Sequence, residues 1–412
     1  MKKNILFLLV DALRADKCWG TNKTAKTPTI DSLQKRGTTF TQAIATTTTT
    51  TPSVASIFTG LYPFAHGLRS FLGYKLRNNI TTLAEILKEN GYHTYAEVTG
   101  PLLTETGLDA EFDNYNVRNP KENVYSCWFD ELLTKFENKE FKEPWFVFIH
   151  FWELHIPRAV PSHYDHEKYG TNKYERALSA LDSRIGRLLE YINQSDIILF
   201  HADHGERIPE TRTAELIYPL INRAVHILQR AQIKKFKNRD RFFLLGHGFH
   251  VYEYLIRVPL ICVGENVFPE KRIPHQVRQI DIFPTLVDTL GLESNTTYTV
   301  HGRSVLPLIK GRSLKDVPAY CEAVGDVSFD KSMWLAGLRT PQYKYIYGPY
   351  SDSIPEELYN LENDPHEQRN IVKEKPEIAK KLRNEIKKIS SEHQESKKLK
   401  QAINKLKIKG KI

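Results

Sequence analysis

Two short apolar runs in this 412-residue chain each end abruptly on an acid. In Ile5 to Arg14, ILFLLVDALR, the acid is Asp11; in Asp196 to Glu206, DIILFHADHGE, it is Asp203, followed at once by His204. A third stretch, Thr46 to Gly67, runs six threonines into Pro52. Two carboxylates and an imidazole make a divalent-metal site, and a threonine oxygen, that of Thr50, can complete it. A hydroxyl held beside such a metal is a candidate nucleophile. Read singly, each stretch is ordinary: Asp11 is a turn residue, Asp203-His204 a loop, and the threonine run an extended linker into a capped helix. Their combination is what points to chemistry.

The elements that must position these residues can be read from the flanking pattern. In an open α/β sheet ligands bind beyond the carboxyl ends of the strands, so two buried strands that each end in an acid place both carboxylates at one edge. Pro52 fixes φ and suits the first position of a helix capped by Thr51 or Thr50 and stopped by Gly60. The free N–H groups at its start offer a place for a tetrahedral oxyanion. Trp145 to His150, WFVFIH, is a further buried strand leading into Glu153 and His155; His150 reads equally as a site residue and as a capping or core histidine. His247 and His250, in GHGFHVY, precede a strand from Val258 to Gly264. Either of them fits a metal ligand, a contact to a leaving oxygen, or a turn cap.

The rest of the chain supplies framework. Thr27 to Gly37 and Thr82 to Gly91 read as capped helices, His93 to Thr99 as a strand, and Gly100 to Asn119 as a long loop on the side of the site. Tyr174 to Ile192 carries Leu178, Leu181, Ile185, Leu188 and Leu189 on one side, a helix expected to pack on the sheet and carry no chemistry. Arg207 to Arg241 is a basic, helix-patterned insertion that reads as a surface pair or as a lid. Short strands at Trp334 to Leu338 and Tyr343 to Tyr347, then a helix after Lys375, suggest a smaller C-terminal unit.

Composition bounds the class. With 41% hydrophobic and 26% charged residues the chain is globular and long enough for a large α/β domain plus a small one. Its net charge of +9 is matched by the tail alone, where Lys373 to Ile412 carries 14 Lys+Arg against 5 Asp+Glu. That tail reads as a solvated helix, with weak contact to an anionic surface as the other reading, and no specific nucleic-acid binding is expected. The apolar start, Ile5 to Val10, is only six residues, below the roughly seven to fifteen of a signal-peptide core. No stretch approaches the ~20 apolar residues of a membrane span. Cys18, Cys127, Cys262 and Cys321 are scattered without metal-ligand spacing and read as buried free thiols, so the expected compartment is the cytoplasm.

In order along the chain, VDALR, T-x-P-S-x-A-S-x-x-T-G-x-Y-P-x-x-H-G, HFWELHIP, ADHGE, GHGFHVYEYLIRVPLI, QIDIFPTLVDTLGL and ELYNLENDPHEQRNI resemble the sulfatase family of the alkaline phosphatase superfamily. The resemblance implies an alkaline phosphatase/sulfatase-like α/β sandwich with a mixed central sheet and a small C-terminal α+β domain. The boundaries it suggests are a catalytic domain over 1–311, a small domain over 312–385 and a basic tail over 386–412. By the same resemblance Asp11, Thr50, Asp203 and His204 hold the metal, His155 lines the substrate site, and His247 and His250 are further catalytic candidates.

The departures from the pattern carry information. The family motif C/S-x-P-S-R, whose first residue becomes formylglycine, is met here by Thr50, Thr51, Pro52, Ser53 and Val54. Threonine is no precursor of that aldehyde, Ala12 stands where many members carry a second Asp of a calcium site, and Gly248 stands where they place a catalytic Lys. A covalent intermediate on Thr50 must be released by water, as in relatives with a Thr nucleophile such as nucleotide pyrophosphatase/phosphodiesterases and lipoteichoic acid synthases. The expectation is therefore a phosphodiester hydrolase dependent on zinc or manganese, with calcium and magnesium as the alternatives, acting on a small-molecule or glycan-linked anionic ester. Sulfuric ester hydrolysis, phosphoryl-group transfer to a glycan and non-catalytic binding are the other readings.

Overall fold

Strand β1 (Ile5–Val10) is wholly buried, and its place in the sheet explains why six apolar residues run without alternation. It lies between β5 (Trp145–Phe151) and β6 (Ile197–Ala202), parallel to both, so each of its faces is covered. The computed structural model describes residues 2–71, 73–208, 217, 246–325 and 331–390. Within them, β1 to β8 form one mixed sheet in the order β4-β3-β5-β1-β6-β7-β2-β8. The other members are β2 (Thr38–Ile44), β3 (His93–Val98), β4 (Asn114–Val117), β7 (Arg257–Val263) and β8 (Lys271–Arg278). Only β7 runs against its neighbours, β6 and β2, so the carboxyl ends of β3, β5, β1, β6 and β2 open on one edge.

The nucleophile-candidate stretch folds as the helix Thr50–Thr59, all ten of whose residues are buried. Phe58 drives it onto the sheet, its ring 5.0 Å from Phe148 and 6.5 Å from Phe7. The helix starts earlier than its proline suggests: Thr49 is the N-cap and Pro52 the third helical residue. Proline is tolerated there because N–H groups of the first turn have no intrahelical acceptor to lose. Gly60 ends the helix at φ 65°, and a Cβ on it would sit 2.6 Å from Val300 Cγ1, so only glycine fits.

His66 holds the turn beyond Gly60 against that helix. Its Nε2 lies 3.1 Å from Ser56 Oγ and its Nδ1 accepts from Leu68 N at 3.2 Å, while burial, with Arg77 and Arg69 nearby, pushes its pKa down to about 3. A depressed histidine takes up its proton more readily unfolded than folded. Its contribution to stability is complete above ~6.5 and is lost as pH falls toward about 3, at ~1.4 kcal/mol per pH unit. His66→Gln is therefore expected to flatten the acid limb of stability, measured by denaturant unfolding between pH 6 and 4, by about one proton's worth.

The helices Pro28–Arg36, Leu83–Glu89 and Lys173–Leu189 fall where their caps and periodicity predict, the second with a Thr82–Glu85 capping box. Two framework readings change. The segment 100–119 is not all loop: Asn114–Val117 adds β4 to the sheet edge beside β3. The helix Lys173–Leu189 also reaches the site edge, because Tyr174 donates its hydroxyl to Ala12 O at 2.7 Å and accepts from Arg14 N at 3.0 Å.

A second, antiparallel sheet has the order β12-β11-β10-β9, from β9 (Ala319–Ala323), β10 (Leu335–Arg339), β11 (Tyr343–Tyr347) and β12 (Glu357–Asn360). A helix over 376–390 packs on it through Ala379, Leu382 and Ile386, in a cluster that also takes in Tyr62 and Ile280. It is tied directly to the threonine run: Glu322 N donates to Thr46 O at 2.9 Å, and Arg69 grips the Glu322 carboxylate with Nε and Nη2 at 2.9 and 2.6 Å. Cys18, Cys262 and Cys321 are buried free thiols, but Cys127 is exposed at the start of a surface helix. No helix of the described residues is long and apolar enough to cross a membrane. Most of the basic insertion, over 209–241, and the lysine-rich tail beyond 390 lie outside the described residues.

Candidate metal centre and active site

Register brings the two acids together. Val10 pairs with Ala202 across β1 and β6, so Asp11 and Asp203, the next residues of each strand, emerge side by side at the carboxyl edge. Both are fully buried. Leu9 pairs with His150 on the other side of β1, which brings a ring from β5 to the same point. Ligand atoms of Asp11, His150 and Asp203 all lie within 4.8 Å of one another.

The turn after β1 bends to complete the cluster. Ala12 sits at φ 58°, unusual for a residue with a side chain, and its N–H donates to Asp203 Oδ1 at 3.0 Å. His204 N donates to the same oxygen at 2.7 Å. Thr50 enters from the helix start: its hydroxyl donates to Asp11 Oδ2 at 3.0 Å and lies 3.4 Å from His204 Nε2.

Both histidines have their tautomer set from behind. His204 Nδ1 is 2.8 Å from Gly205 O and His150 Nδ1 is 3.3 Å from Thr99 O; a carbonyl only accepts, so each ring carries its proton on Nδ1. The lone pairs of both Nε2 atoms then face the centre, His204 3.4 Å from Asp203 Oδ2 and His150 4.0 Å from Asp11 Oδ2. A carbonyl behind a histidine that turns its other nitrogen inward is the usual support of a metal ligand.

Three inward atoms, Asp11 Oδ1, Asp203 Oδ2 and His150 Nε2, are buried without a hydrogen-bond partner. Such atoms are costly in a protein interior unless something binds them. Burial, with Asp203 alongside, pushes the Asp11 carboxyl well above its usual range. Burial acts the same way on Asp203, but His204 and His150 hold it below its usual value. Two oxygen donors, two imidazole nitrogens and a hydroxyl around orphaned acceptors fit a divalent cation.

A second group adjoins this centre. The His247 ring packs 4.3 Å from the His204 ring and 5.4 Å from that of His155, which is stacked on Trp152 at 3.9 Å. His247 Nδ1 lies 3.3 Å from Glu206 Oε2, and Arg158 Nη2 3.8 Å from the same oxygen. Burial, with His247 close by, pushes His155 down to about 3. His250 is buried with its ring stacked on Tyr252 at 5.2 Å. The structure thus brings Asp11, Thr50, Asp203 and His204 together and places His247 and His155 beside them. It turns the ring of His150, whose sequence context left a site role and a core role equally open, toward Asp11, and adds Glu206 and Arg158, which their local sequence does not single out.

Behind the centre, Gln279 acts as a strut. Its Nε2 donates to Ala202 O at 3.2 Å and Asp203 O at 3.0 Å, while its Oε1 accepts from Thr46 N at 3.2 Å and Ser53 Oγ at 2.9 Å. One buried amide therefore joins the end of β6 to both sides of the threonine run. Gln279→Leu would strand several of these groups and is expected to cost ~2–4 kcal/mol in denaturant unfolding.

Comparison with known proteins agrees with this architecture. The profile described as Sulfatase matches residues 3–292, and that described as N-sulphoglucosamine sulphohydrolase, C-terminal, matches 247–392. Arylsulfatase K of Rattus norvegicus is 23% identical over 429 residues, spanning 89% of this chain and 74% of its own length. The Ulvan-active sulfatase of Formosa agariphila is 23% identical over 416 residues, with 90% and 76% covered. Among solved structures, the phosphonate monoester hydrolase of Agrobacterium radiobacter superposes with a TM-score of 0.71 at 16% identity, over 95% of this chain and 96% of that one. A 2-O GAG sulfatase gives 0.69 at 17% identity, over 97% and 94%. With a matching family profile over most of its length, and its strand-end acids gathered at one sheet edge, the chain belongs to the sulfatase family, hydrolases of the alkaline phosphatase superfamily.

Proposed function

We propose that this protein is a metal-dependent phosphoester hydrolase, acting on phosphodiesters through Thr50. The observation that carries the reading is the Thr50 hydroxyl, 3.0 Å from Asp11 Oδ2 at the centre of a buried carboxylate-imidazole cluster. Asp11, Asp203, His204 and Thr50 would hold the metal, with His150 against them. The imidazole nitrogens favour zinc or manganese over calcium or magnesium, which prefer oxygen donors throughout. When bound, such an ion polarises the ester and favours the alkoxide of a ligating hydroxyl.

Thr50 occupies the position of the family's formylglycine precursor in this reading. Its Oγ, relieved of its proton toward Asp11, attacks phosphorus; the bond to the leaving alcohol breaks, and His247 gives that oxygen a proton, while the neutral ring of His155 serves to hydrogen-bond an ester oxygen. Water then attacks the phosphothreonine, breaking the new P–O bond and restoring the Thr50 hydroxyl. His250, the other catalytic candidate, stacks on Tyr252 and is assigned no step. The phosphonate monoester hydrolase among the structural neighbours is consistent with phosphorus chemistry on this fold. The arylsulfatase relatives favour a second reading, hydrolysis of sulfate esters of small molecules or glycans. Four unpaired cysteines suit a reducing compartment such as the cytoplasm.

The test is turnover of matched nitrophenyl sulfate, phosphate monoester and phosphodiester by metal-stripped protein resupplied in turn with zinc, manganese, calcium and magnesium. Phosphodiester turnover restored by zinc or manganese is the expected result. Turnover of the sulfate alone would replace this reading by the second.

A further inference from the structure

The site described above is rich in carboxylates, and an anionic ester entering beside Asp11, Asp203 and Glu206 needs positive charge on its open side as well as at the metal. Arg14, Arg118 and Arg158 lie around it, and their hydrogen bonds separate them. Arg14 clamps Asp16 with Nε and Nη2 at 2.8 and 2.7 Å. Arg118 gives Nε, Nη1 and Nη2 to the carbonyls of Glu122, Glu97 and His150, with its guanidinium 3.9 Å over the Trp128 ring. Both are structural ties with their donors committed.

Arg158 differs. Its Nε is anchored on Leu154 O at 2.8 Å and its guanidinium lies 5.1 Å over the Tyr174 ring, which fixes the plane of the fork. Its Nη2 is buried and has no hydrogen-bond partner. Its side chain is only 4% exposed, yet the carboxylate it faces, Glu206 Oε2, stands 3.8 Å off, beyond hydrogen-bond reach. That carboxylate is 3.3 Å from His247 Nδ1, and the His247 ring packs on His204, whose Nε2 is 3.4 Å from Thr50 Oγ1. A buried guanidinium with an unspent donor costs free energy unless a ligand satisfies it. Its planar fork matches the oxygens of a tetrahedral anion.

We propose that Arg158 is a substrate-binding residue that grips a non-bridging oxygen of the ester's phosphoryl or sulfuryl group, on the side of the site away from the metal. Glu206 holds the guanidinium in place through charge while leaving Nη2 without a hydrogen bond, and Tyr174, bonded to Ala12 O, couples the fork to the turn that carries Asp11. The inference rests on the ester-hydrolase reading for its ligand, but its test does not depend on turnover.

The test is calorimetric titration of inorganic phosphate and of sulfate into zinc- or manganese-loaded wild type, Arg158→Met, which keeps the stem over Tyr174, and Arg158→Lys. Wild type is expected to bind at least one of the two oxyanions. Arg158→Met should weaken that binding ~10–100-fold and Arg158→Lys by less, with KM for a responsive ester rising in parallel while kcat changes little. Metal-induced thermal stabilisation should persist in both variants. The inference is overturned by oxyanion affinity unchanged in Arg158→Met, by a wild type that binds neither anion, or by variants that lose the metal response together with the anion, since that marks a purely structural arginine. Failure of the hydrolase reading looks different: oxyanion binding that depends on Arg158 with no turnover of any ester.

Discussion

Replacing Thr50 by alanine is expected to lower turnover of the responsive ester by ~10³-fold or more, while Thr50→Ser keeps a substantial part of it. The run offers six hydroxyls, and their partners distinguish them. Thr46 Oγ1 donates to Gln279, Thr47 and Thr49 pair with each other at 3.4 Å, and Thr51 donates to Pro101 O. Thr48 Oγ1 is buried without a partner, and Thr50 alone among the six contacts both Asp11 and His204. Thr48→Val is thus the matched control: it removes a hydroxyl two residues away and is expected to leave turnover within a few-fold of wild type. Steady-state kinetics on the three variants, with folding checked by circular dichroism, measures this. Equal losses in Thr48→Val and Thr50→Ala would assign the run a structural role.

The second large effect concerns the acids. The fold keeps Asp11 and Asp203 side by side and fully buried, with one oxygen of each lacking a hydrogen-bond partner. Burial and the neighbouring charge drive Asp11 to hold its proton, and a bound cation would favour its release by neutralising the paired carboxylates. Zinc or manganese at a hundred times its dissociation constant is expected to stabilise wild type by ~3 kcal/mol, and chelation to reverse this. Asp11→Asn should abolish the response without lowering metal-free stability, because the amide has the shape of the neutral carboxyl that burial already favours there and breaks no ion pair. Thermal unfolding of both proteins, with and without metal, checks the prediction. A variant that unfolds more easily without metal yet keeps its metal response would contradict it.

Much of this centre was legible in the chain. A buried parallel strand must be apolar on both faces, so an acid that ends such a run marks the sheet edge, and β1 and β6 both end that way. The same property left the role of His150 undecided. In β5 every residue is buried whichever way it points, so no alternation shows that this ring faces Asp11. Glu206 and Arg158 were hidden by distance along the chain: they meet through the return of β6 beside β1, and only that return makes an unspent guanidinium visible.

The start of the nucleophile helix was misplaced by two residues for a local reason. Six like residues give no cap signal, and proline is accommodated at either the first or the third helical position. Thr50, the first residue of the helix, is the one that meets Asp11.

The measurement that bears most directly on the account is rapid quenching of metal-loaded protein during turnover of the responsive phosphodiester, followed by mass-spectrometric mapping of the peptide that spans the threonine run. The account predicts a phosphoryl group on Thr50, formed in the first turnover and lost when substrate is exhausted. Sustained turnover with that peptide unmodified, or with the group on another residue, would contradict it.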